Sequence, residues 1–218
     1  MKQITIRGKK TYDDLGLLLA PDSSIGEAKV KTYLVDIPHG NGTLDLSEAI
    51  TGEVSFEDRE ISFKLLLTAD VSTWNIKERQ LKNLFHGKRC EIIMPQYEGY
   101  YFIGRVSVGA IEQDNSVAYV PFKAIVEPFA LKMNKTIASH TVPSSGVLNL
   151  VLNNERMTTM PTFTTSANVK ITFGGKSHLY TAGTFQSTGI LLREGDNPIK
   201  IEAVAGTTIN ITYQEGAL

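Results

Sequence analysis

The residue types that most often hold metals are sparse and widely spaced in this sequence. The four histidines lie far apart, and none forms a His-x-x-x-His pair or a metal motif that includes Glu. Because a metal needs several ligands at once, we predict no metal site. A site assembled only by the fold is the alternative that the spacing leaves open. The histidines are His39, His86, His140 and His178.

Candidate nucleophiles and acid–base groups are equally isolated. Cys90 is the only cysteine, and it sits in an apolar run at residues 90–94, which favours a buried, inert thiol. The carboxylates Asp13-Asp14 lie in a turn-like polar stretch. We interpret residues 57–60 (Glu-Asp-Arg-Glu) as a solvated corner with internal charge pairing. Catalytic carboxylates normally need partial burial, so neither group indicates catalysis.

Sequence motifs for common enzyme classes are also missing. There is no Gly-x-x-x-x-Gly-Lys-Ser/Thr phosphate loop and no Gly-x-Ser-x-Gly elbow. Ser144-Ser145-Gly146 follows a proline and is predicted to be a loop. We therefore expect no catalytic residues, no cofactor and no metal, that is, a protein that is not an enzyme.

Sugar recognition remains an open alternative, because small β-sandwiches often bind glycans through an exposed aromatic ring. The second half of the chain has no Trp. Phe173 and Tyr213 share strand parity with aliphatic neighbours and are predicted to face the core. Tyr180 is the candidate for an exposed ring, but sequence assigns no glycan-binding residue, so those residues stay unknown. The aromatic residues of this half are Phe163, Phe173, Tyr180, Phe185 and Tyr213.

The composition of the chain limits the classes of partner that it can bind. The chain has 218 residues, a formal net charge of -1 and 42% hydrophobic residues, without the basic face that nucleic-acid binders show. No apolar run approaches a membrane-spanning length; residues 15–20 are far too short and end at Pro21. We expect no nucleic-acid partner and no membrane insertion. The single cysteine suits assembly in a reducing cytoplasm.

Most of the first half is predicted to form short strands. Residues 29–38 alternate polar and apolar side chains as in a strand, and the turn cluster His39-Gly40-Asn41-Gly42 follows them. Residues 60–67 form another alternating run, whose apolar side chains share one face. Runs at residues 90–94, 100–108 and 117–128 predict a three-stranded meander.

One segment has helical rather than strand spacing. Trp74, Leu81, Leu84 and Phe85 fall on one stripe, so we predict an amphipathic helix over about residues 73–85. Ser72 or Thr73 is the expected N-cap and Gly87 the expected C-cap. The only Trp is predicted to anchor this helix on the sheet rather than to grip a ligand.

Composition shifts near Met133, where Thr, Asn, Ser and Gly become frequent. We therefore predict two domains, residues 1–133 and residues 134–218. The expected fold class is mainly β: a β-sandwich with one packed α-helix, followed by a small jelly-roll β-sandwich. Strands of the second domain are expected at residues 147–152, 168–173, 189–192, 199–203 and 207–213.

Several segments resemble, in order, those of distal tail proteins of long, non-contractile-tailed bacteriophages. The segment Ile-Pro-His-Gly-Asn-Gly-Thr-Leu-Asp-Leu at residues 37–46 is similar to the family's Ile-Pro-Gly-x-x-Gly-x-Leu-Asp-Leu, with His39 where Gly is common. Leu-Phe-His-Gly-Lys at residues 84–88 is similar to the family's helix end. Further similar segments lie at residues 12–19, 56–63, 100–106, 127–129 and 211–218.

The resemblance implies a structural role. Such proteins form hexameric rings at the distal tail tip that join the tail tube to the host-adhesion device. It implies a ring-forming first domain and an outward, galectin-like second domain that meets tail-tip or receptor-binding proteins. The implied location is the virion tail, after synthesis in the cytoplasm of a bacterial host. The competing hypothesis is a carbohydrate-binding module that recognises host cell-surface glycans.

Overall fold

The computed structural model describes residues 3–67, 70–114 and 117–218. The chain divides into two compact units, Met1–Ala130 and Leu131–Leu218. Both are built from antiparallel strands, and one α-helix longer than a single turn is present in the described residues. The mainly β class with one packed helix is therefore confirmed.

The first unit is dominated by one antiparallel sheet. Its strands follow the order β2-β1-β8-β9-β11-β7-β3, with β4 also paired to β7 and β10 to β11. The predicted meander is confirmed, because β8, β9 and β11 are neighbours. The strands of the first unit, of which β5 and β6 form a separate pair, are β1 (Thr5–Ile6), β2 (Lys9–Lys10), β3 (Leu17–Leu19), β4 (Ser24–Ile25), β5 (Leu34–Asp36), β6 (Thr43–Asp45), β7 (Arg59–Leu67), β8 (Arg89–Ile93), β9 (Tyr100–Val108), β10 (Glu112–Asp114) and β11 (Val117–Val126).

Strand β7 shows why this sheet folds. Its alternate side chains Ile61, Phe63, Leu65 and Leu67 are all buried, as the period of two predicts. Phe63 stacks on Phe122 of the neighbouring strand β11, with ring centroids 5.1 Å apart. One face of the strand is thereby removed from water, which is the main driving force for its formation.

The helix α1 spans Trp74–Phe85, in agreement with the predicted range. A short 3-10 turn, Val71–Thr73, precedes it, and the Asp70 carboxylate caps that turn by accepting from the Ser72 amide. The C-cap is His86 rather than the predicted Gly87, which follows it with φ of 74°, a left-handed conformation that favours glycine. Trp74, Leu81 and Phe85 are buried and Leu84 packs against the same core, so the predicted stripe is confirmed.

The second unit is a β-sandwich. One four-stranded sheet has the order β13-β20-β15-β18 and the other β14-β19-β16-β17, and both contribute side chains to a single core. The division between units falls within β12 (Ala130–Lys132). The remaining strands are β13 (Thr136–Thr141), β14 (Val147–Asn154), β15 (Thr162–Thr165), β16 (Val169–Phe173), β17 (Lys176–Tyr180), β18 (Gly183–Phe185), β19 (Gly195–Ala203), β20 (Thr208–Tyr213) and β21 (Gly216–Ala217).

Two strand predictions were wrong. Residues 189–192 form no strand; Leu192 makes only an isolated bridge to Thr159, and Ile190 and Leu192 are buried as loop residues. Residues 29–38 form a strand only at β5 (Leu34–Asp36), and all three of its residues are exposed. In both cases the apolar residues were identified correctly, but the structure around them was not. Alternation of apolar residues does not reveal what packs against them.

Candidate assembly surface

The candidate catalytic residues do not converge. His39 lies at a turn, His86 caps the helix, and His140 and His178 lie on β13 and β17. Among residues 3–67, 70–114 and 117–218, no group of three His, Cys, Asp or Glu side chains could hold a metal ion. His86 instead accepts from the Val108 amide through Nδ1 at 3.0 Å, which fixes the helix end on β9.

The thiol and the paired carboxylates have structural surroundings. Cys90 is buried, and burial raises the pKa of its thiol, which keeps it protonated and unreactive. Asp13 is exposed and accepts from Gln3 and Lys10, and these bonds lower its pKa. Asp14 accepts from the Lys10 amide at 2.7 Å. Both aspartates therefore stabilise the turn that follows β2.

The expected solvated corner at residues 57–60 needs correction at Arg59. Glu57, Asp58 and Glu60 are exposed, and Glu60 pairs with Lys123 at 3.1 Å. Arg59, however, is buried; its Nε donates to the Pro128 carbonyl at 2.6 Å, and its guanidinium lies over the Phe102 ring. The guanidinium plane stacks well on an aromatic face, which charge patterning alone does not reveal.

The most exposed apolar segment of the first unit is the stretch that precedes β7, here called the exposed hairpin (residues 29–57). Its base is held by two backbone bonds, from Lys31 to Ser55 and from Glu57 to Lys29, each 2.8 Å. Beyond the base, β5 and β6 form a two-stranded sheet of their own. His39 lies in their turn with φ of 59°, a left-handed conformation in which glycine carries no penalty.

The exposed hairpin carries large apolar side chains that lie on the protein surface and do not pack on the hydrophobic core of the first unit. Tyr33 is 64% exposed and Ile50 98% exposed. An isolated two-stranded hairpin is marginally stable in water, and contiguous exposed apolar surface typically marks an interaction site. The exposed apolar residues of this segment are Val30, Tyr33, Leu34, Val35, Ile37, Leu44 and Ile50.

The distal part of the exposed hairpin also carries negatively charged side chains without any Lys or Arg. Residues 32–56 contain four acidic residues and no Lys or Arg; the acids are Asp36, Asp45, Glu48 and Glu53. Hydrogen bonds from the Ser47 side chain and amide lower the pKa of Asp45, so this carboxylate is charged at neutral pH. The surface is therefore both apolar and acidic, which sequence periodicity did not reveal.

The aromatic residues of the second unit pack on one another. Tyr180 is half-buried and stacks on Phe185, with centroids 4.4 Å apart and planes 6° apart. Phe185 in turn stacks on Phe163 at 5.5 Å, and the Tyr180 hydroxyl donates to Ser187. Tyr213 is buried and Phe173 packs against the core, as predicted. The Tyr180 ring thus supports the core on one face.

A shallow cavity lies on the outer face of the second sheet. Its volume is about 440 Å³, and the residues that line it include Val151, Pro198 and Lys200 but no aromatic side chain. A polar row crosses the four strands of this face, Asn149, Lys200, Thr172 and Ser177, in register. This face offers polar groups without an aromatic platform.

A buried carboxylate near the end of the chain, which sequence patterns did not indicate, connects the two ends of the second unit. Glu215 is 5% exposed and accepts from Thr136, from Lys132 at 3.0 Å and from the Glu155 amide at 3.2 Å. Burial by itself raises the pKa of Glu215, but these hydrogen bonds and the Lys132 charge outweigh it and lower the pKa overall. The C-terminal strand is thereby attached to the first residues of its own unit.

No protein-family model and no curated protein matches the chain. Among solved structures, the chain is similar in fold to a phage Dit protein. The Dit protein (gp 19.1) of phage SPP1, described as a paradigm of the hub adsorption apparatus in phages that infect Gram-positive bacteria, aligns with a TM-score of 0.70 and 14% identity over 100% of both chains.

This likeness shows the fold alone, and it supports the mainly β fold of distal tail proteins over the whole chain. A de novo designed double-stranded β-helix aligns with a TM-score of only 0.25 over 39% of this chain, at 11% identity, and adds nothing to the argument. No helix in the described part of the chain is long and apolar enough to cross a membrane.

Proposed function

We propose that this chain is a structural hub protein at the distal end of a long, non-contractile phage tail. In this role it forms a hexameric ring that joins the tail tube to the host-adhesion device. The observation that carries the proposal is the exposed hairpin, whose large apolar side chains are exposed to solvent in the described part of the first unit. The full-length fold shared with the SPP1 hub protein supports the same role.

Ring assembly accounts for the exposed hairpin physically. A cyclic assembly uses heterologous contacts, in which two different surfaces of each subunit match. Burying large apolar side chains against a neighbour contributes about 25 cal/mol per Å² of apolar surface. The hairpin is then stable only in the assembled state, and the free subunit stays soluble through its acidic residues.

The two units divide the work in this proposal. Residues 1–133 build the ring and contact the tail tube protein, and residues 134–218 project outward and contact tail-tip or receptor-binding proteins. Assembly follows synthesis in the bacterial host cytoplasm, and the final location is the virion tail. Neither nucleic acid nor membrane insertion is involved. The galectin-like topology of the second unit is part of the proposal.

Catalysis, cofactors and sugar binding are not part of this function. The candidate catalytic residues lie apart, as described above, and Tyr180 uses one ring face for Phe185. We propose that the second unit docks protein rather than free sugar. Carbohydrate recognition is the competing hypothesis, and a glycan array on the purified protein tests it. Reproducible binding that Tyr180→Ala abolishes would favour the sugar-binding hypothesis.

The direct test of self-assembly compares two pairs of exposed apolar residues. The variant Tyr33→Ser, Leu44→Ser alters the exposed hairpin, and Leu179→Ser, Val151→Ser is its control in the second unit, where both residues are exposed. Light scattering over a concentration series, with negative-stain imaging, measures ring formation. We expect six-membered rings that the hairpin variant loses and the control keeps. Rings that persist in the hairpin variant would exclude the hairpin from the interface.

A further inference from the structure

The second unit has one exposed sheet face that is built almost entirely from uncharged polar residues. It is the outer face of the sheet β13-β20-β15-β18, here called the threonine face. Its central row crosses all four strands in register, as Ser139, Asn210, Thr164 and Thr184, and all four residues are exposed. The outward residues on either side of this row are Ile137, Thr141, Thr162, Thr208 and Thr212.

The lack of charge distinguishes this face from the other sheet faces. None of its four strands, all within the described range 117–218, contains Lys, Arg, Asp or Glu. The outer face of the other sheet in this unit carries Lys170 and Lys200, which both pair with Glu202. The sheet of the first unit exposes Arg89 and Arg105 on neighbouring strands. Since charged side chains normally keep an exposed surface soluble and unassociated, a face without them is suited to stable contact.

The hydroxyl groups of the threonine face hold one another in place. The Thr164 and Thr184 hydroxyls are 2.9 Å apart, and the Thr162 hydroxyl accepts from Gln186 at 2.9 Å. Threonine is β-branched and stiff about χ1, and its short side chain has less rotamer entropy to lose than that of Lys or Glu. A hydroxyl has one donor and two acceptor sites, so each retains capacity for a further bond. The face is therefore preorganised for hydrogen bonds to a partner.

The chemistry of the face indicates that its partner is an uncharged protein surface. A charged residue buried against it would lose hydration without gaining an opposite charge. A glycan site typically offers an exposed aromatic ring, but the aromatic residues of these strands, Phe163, Phe185 and Tyr213, pack in the core. Ile137, which is 66% exposed at one side of the face, adds apolar contact of the kind that protein interfaces contain.

We propose that the second unit docks its protein partner through the threonine face. The partner is another tail protein, whose contact surface is uncharged and rich in hydroxyl and amide groups. This inference rests on the proposed function, in which the second unit contacts tail-tip or receptor-binding proteins, and it specifies the face that does so. Docking is then insensitive to salt, because the face has no charge for salt to screen.

The size of the face makes a ring important for its use. Its four strands span about 14 Å between the outer pair, at about 4.8 Å per strand spacing. A single contact of this width is weak by itself. Several subunits in one ring present several identical faces at once, and linked sites bind far more tightly than one site alone.

Cysteine labelling on purified virions tests the docking face. Cys90 is the only cysteine and is buried, so an introduced cysteine reports one position. Thr184→Cys lies on the threonine face and Ser177→Cys on the opposite face. Both positions are exposed, both are on edge strands, and each loses one hydroxyl bond, to Thr164 or to Thr172. Maleimide labelling rates are compared between the free full-length protein and virions that carry the same variant.

We expect labelling of Thr184→Cys to be slower by about tenfold or more in virions, and that of Ser177→Cys to stay within about threefold of the free protein. Equal rates in virions and free protein at position 184 overturn the inference. Equal protection at both positions overturns it as well, because the threonine face would then not be distinguished from the opposite face.

The same virions separate a protein partner from a glycan. Purified virions contain tail proteins but no host surface, so protection at position 184 in virions alone identifies a protein partner. Protection that appears only after host cell-wall polysaccharide is added overturns the inference in favour of a glycan. Virions that lack the chain contradict the proposed function and this inference together, whereas virions that contain it without protection contradict this inference alone.

A matched pair of inserted charges provides a second measurement. Asn210→Lys places a charge in the central row of the threonine face, and Asn149→Lys places the same charge on the opposite face, where Asn149 is also exposed. We expect the infectious titre to fall by about tenfold or more for Asn210→Lys and to stay within about threefold for Asn149→Lys. Equal titres overturn the inference. Thermal unfolding of both purified variants checks folding, and if Asn210→Lys is the less stable, the labelling rates decide.

Discussion

Two segments of the first unit both contain alternate apolar residues, but the environments of these residues are opposite. Strand β7 buries Ile61, Phe63, Leu65 and Leu67 in the core, flanked by β11 and β3. In residues 29–38 the alternation is confined to Tyr33, Val35 and Ile37, and these side chains are exposed. The difference lies in what packs against their side chains: those of β7 belong to the hydrophobic core, whereas within the described residues those of 29–38 belong to no core.

This comparison shows what alternation can and cannot indicate. A period of two predicts an extended segment with one apolar face, and both segments meet that prediction in part. It does not say whether the cover comes from the same subunit or from a neighbour. In our account β7 stabilises the subunit, and the exposed hairpin stabilises the assembly.

The largest expected effect on stability is at the buried core residues of the first unit. Phe63→Ala and Trp74→Ala should each lower the free energy of unfolding of the first unit by about 3–5 kcal/mol, as for other buried aromatic residues. Because Trp74 is the only Trp, its fluorescence reports this unit in the Phe63 variant, and circular dichroism serves for the Trp74 variant. An unchanged midpoint in either would show that the residue is not a core anchor.

A smaller effect is expected at the buried carboxylate of the second unit. Glu215→Ala should destabilise that unit by about 1–3 kcal/mol, because the partly buried donors of Thr136 and Glu155 lose their acceptor. Hydrogen exchange at the amides of β13 and β20 measures this unit alone. Protection equal to wild type would show that the Glu215 contacts do not hold the C-terminal strand.

The same carboxylate predicts a pH dependence. The folded pKa of Glu215 is lowered from 4.5, so its contribution to stability is present above about pH 4.5 and is lost as pH falls through the folded pKa. Glu215→Gln should flatten this acid-side decline in the second unit. Thermal unfolding between neutral and acidic pH tests it, and an equal decline in both proteins would contradict it.

Tyr180 should have a modest effect. Its ring stacks on Phe185 at the edge of the core, and aromatic pairs of this kind contribute about 0.5–1.5 kcal/mol beyond area burial. Tyr180→Leu keeps most of the apolar volume, so the expected loss is of that size. Tyr180→Leu as stable as wild type would argue that the ring serves a ligand and not the core.

The smallest effect on stability is expected in the exposed hairpin. Tyr33→Ala should change the unfolding free energy of the dilute subunit by less than about 0.5 kcal/mol, as for other exposed positions, while it weakens assembly. Thermal unfolding at low concentration measures the first quantity and light scattering the second. A large loss of stability without a change in assembly would place Tyr33 in a core.

Local patterns predicted much of the fold and little of the assembly surface. The stripe of Trp74, Leu81 and Phe85 predicted the helix, because the buried face of a helix repeats with a period that one short segment already shows. Arg59 and Glu215 were missed because their partners, Pro128 and Lys132, are distant in sequence. The acidic, apolar character of residues 32–56 was present in the sequence, but its exposure depends on which strands cover β5.

The central claim, a six-membered ring at the tail tip, is tested most directly on virions. Cryo-microscopy of purified particles, with immunogold labelling against this chain, locates it without assuming any solution state. We predict six copies in a ring at the distal end of the tail, with the first unit forming the ring and the second outside it. Label on the capsid, or no label on virions, would contradict the account.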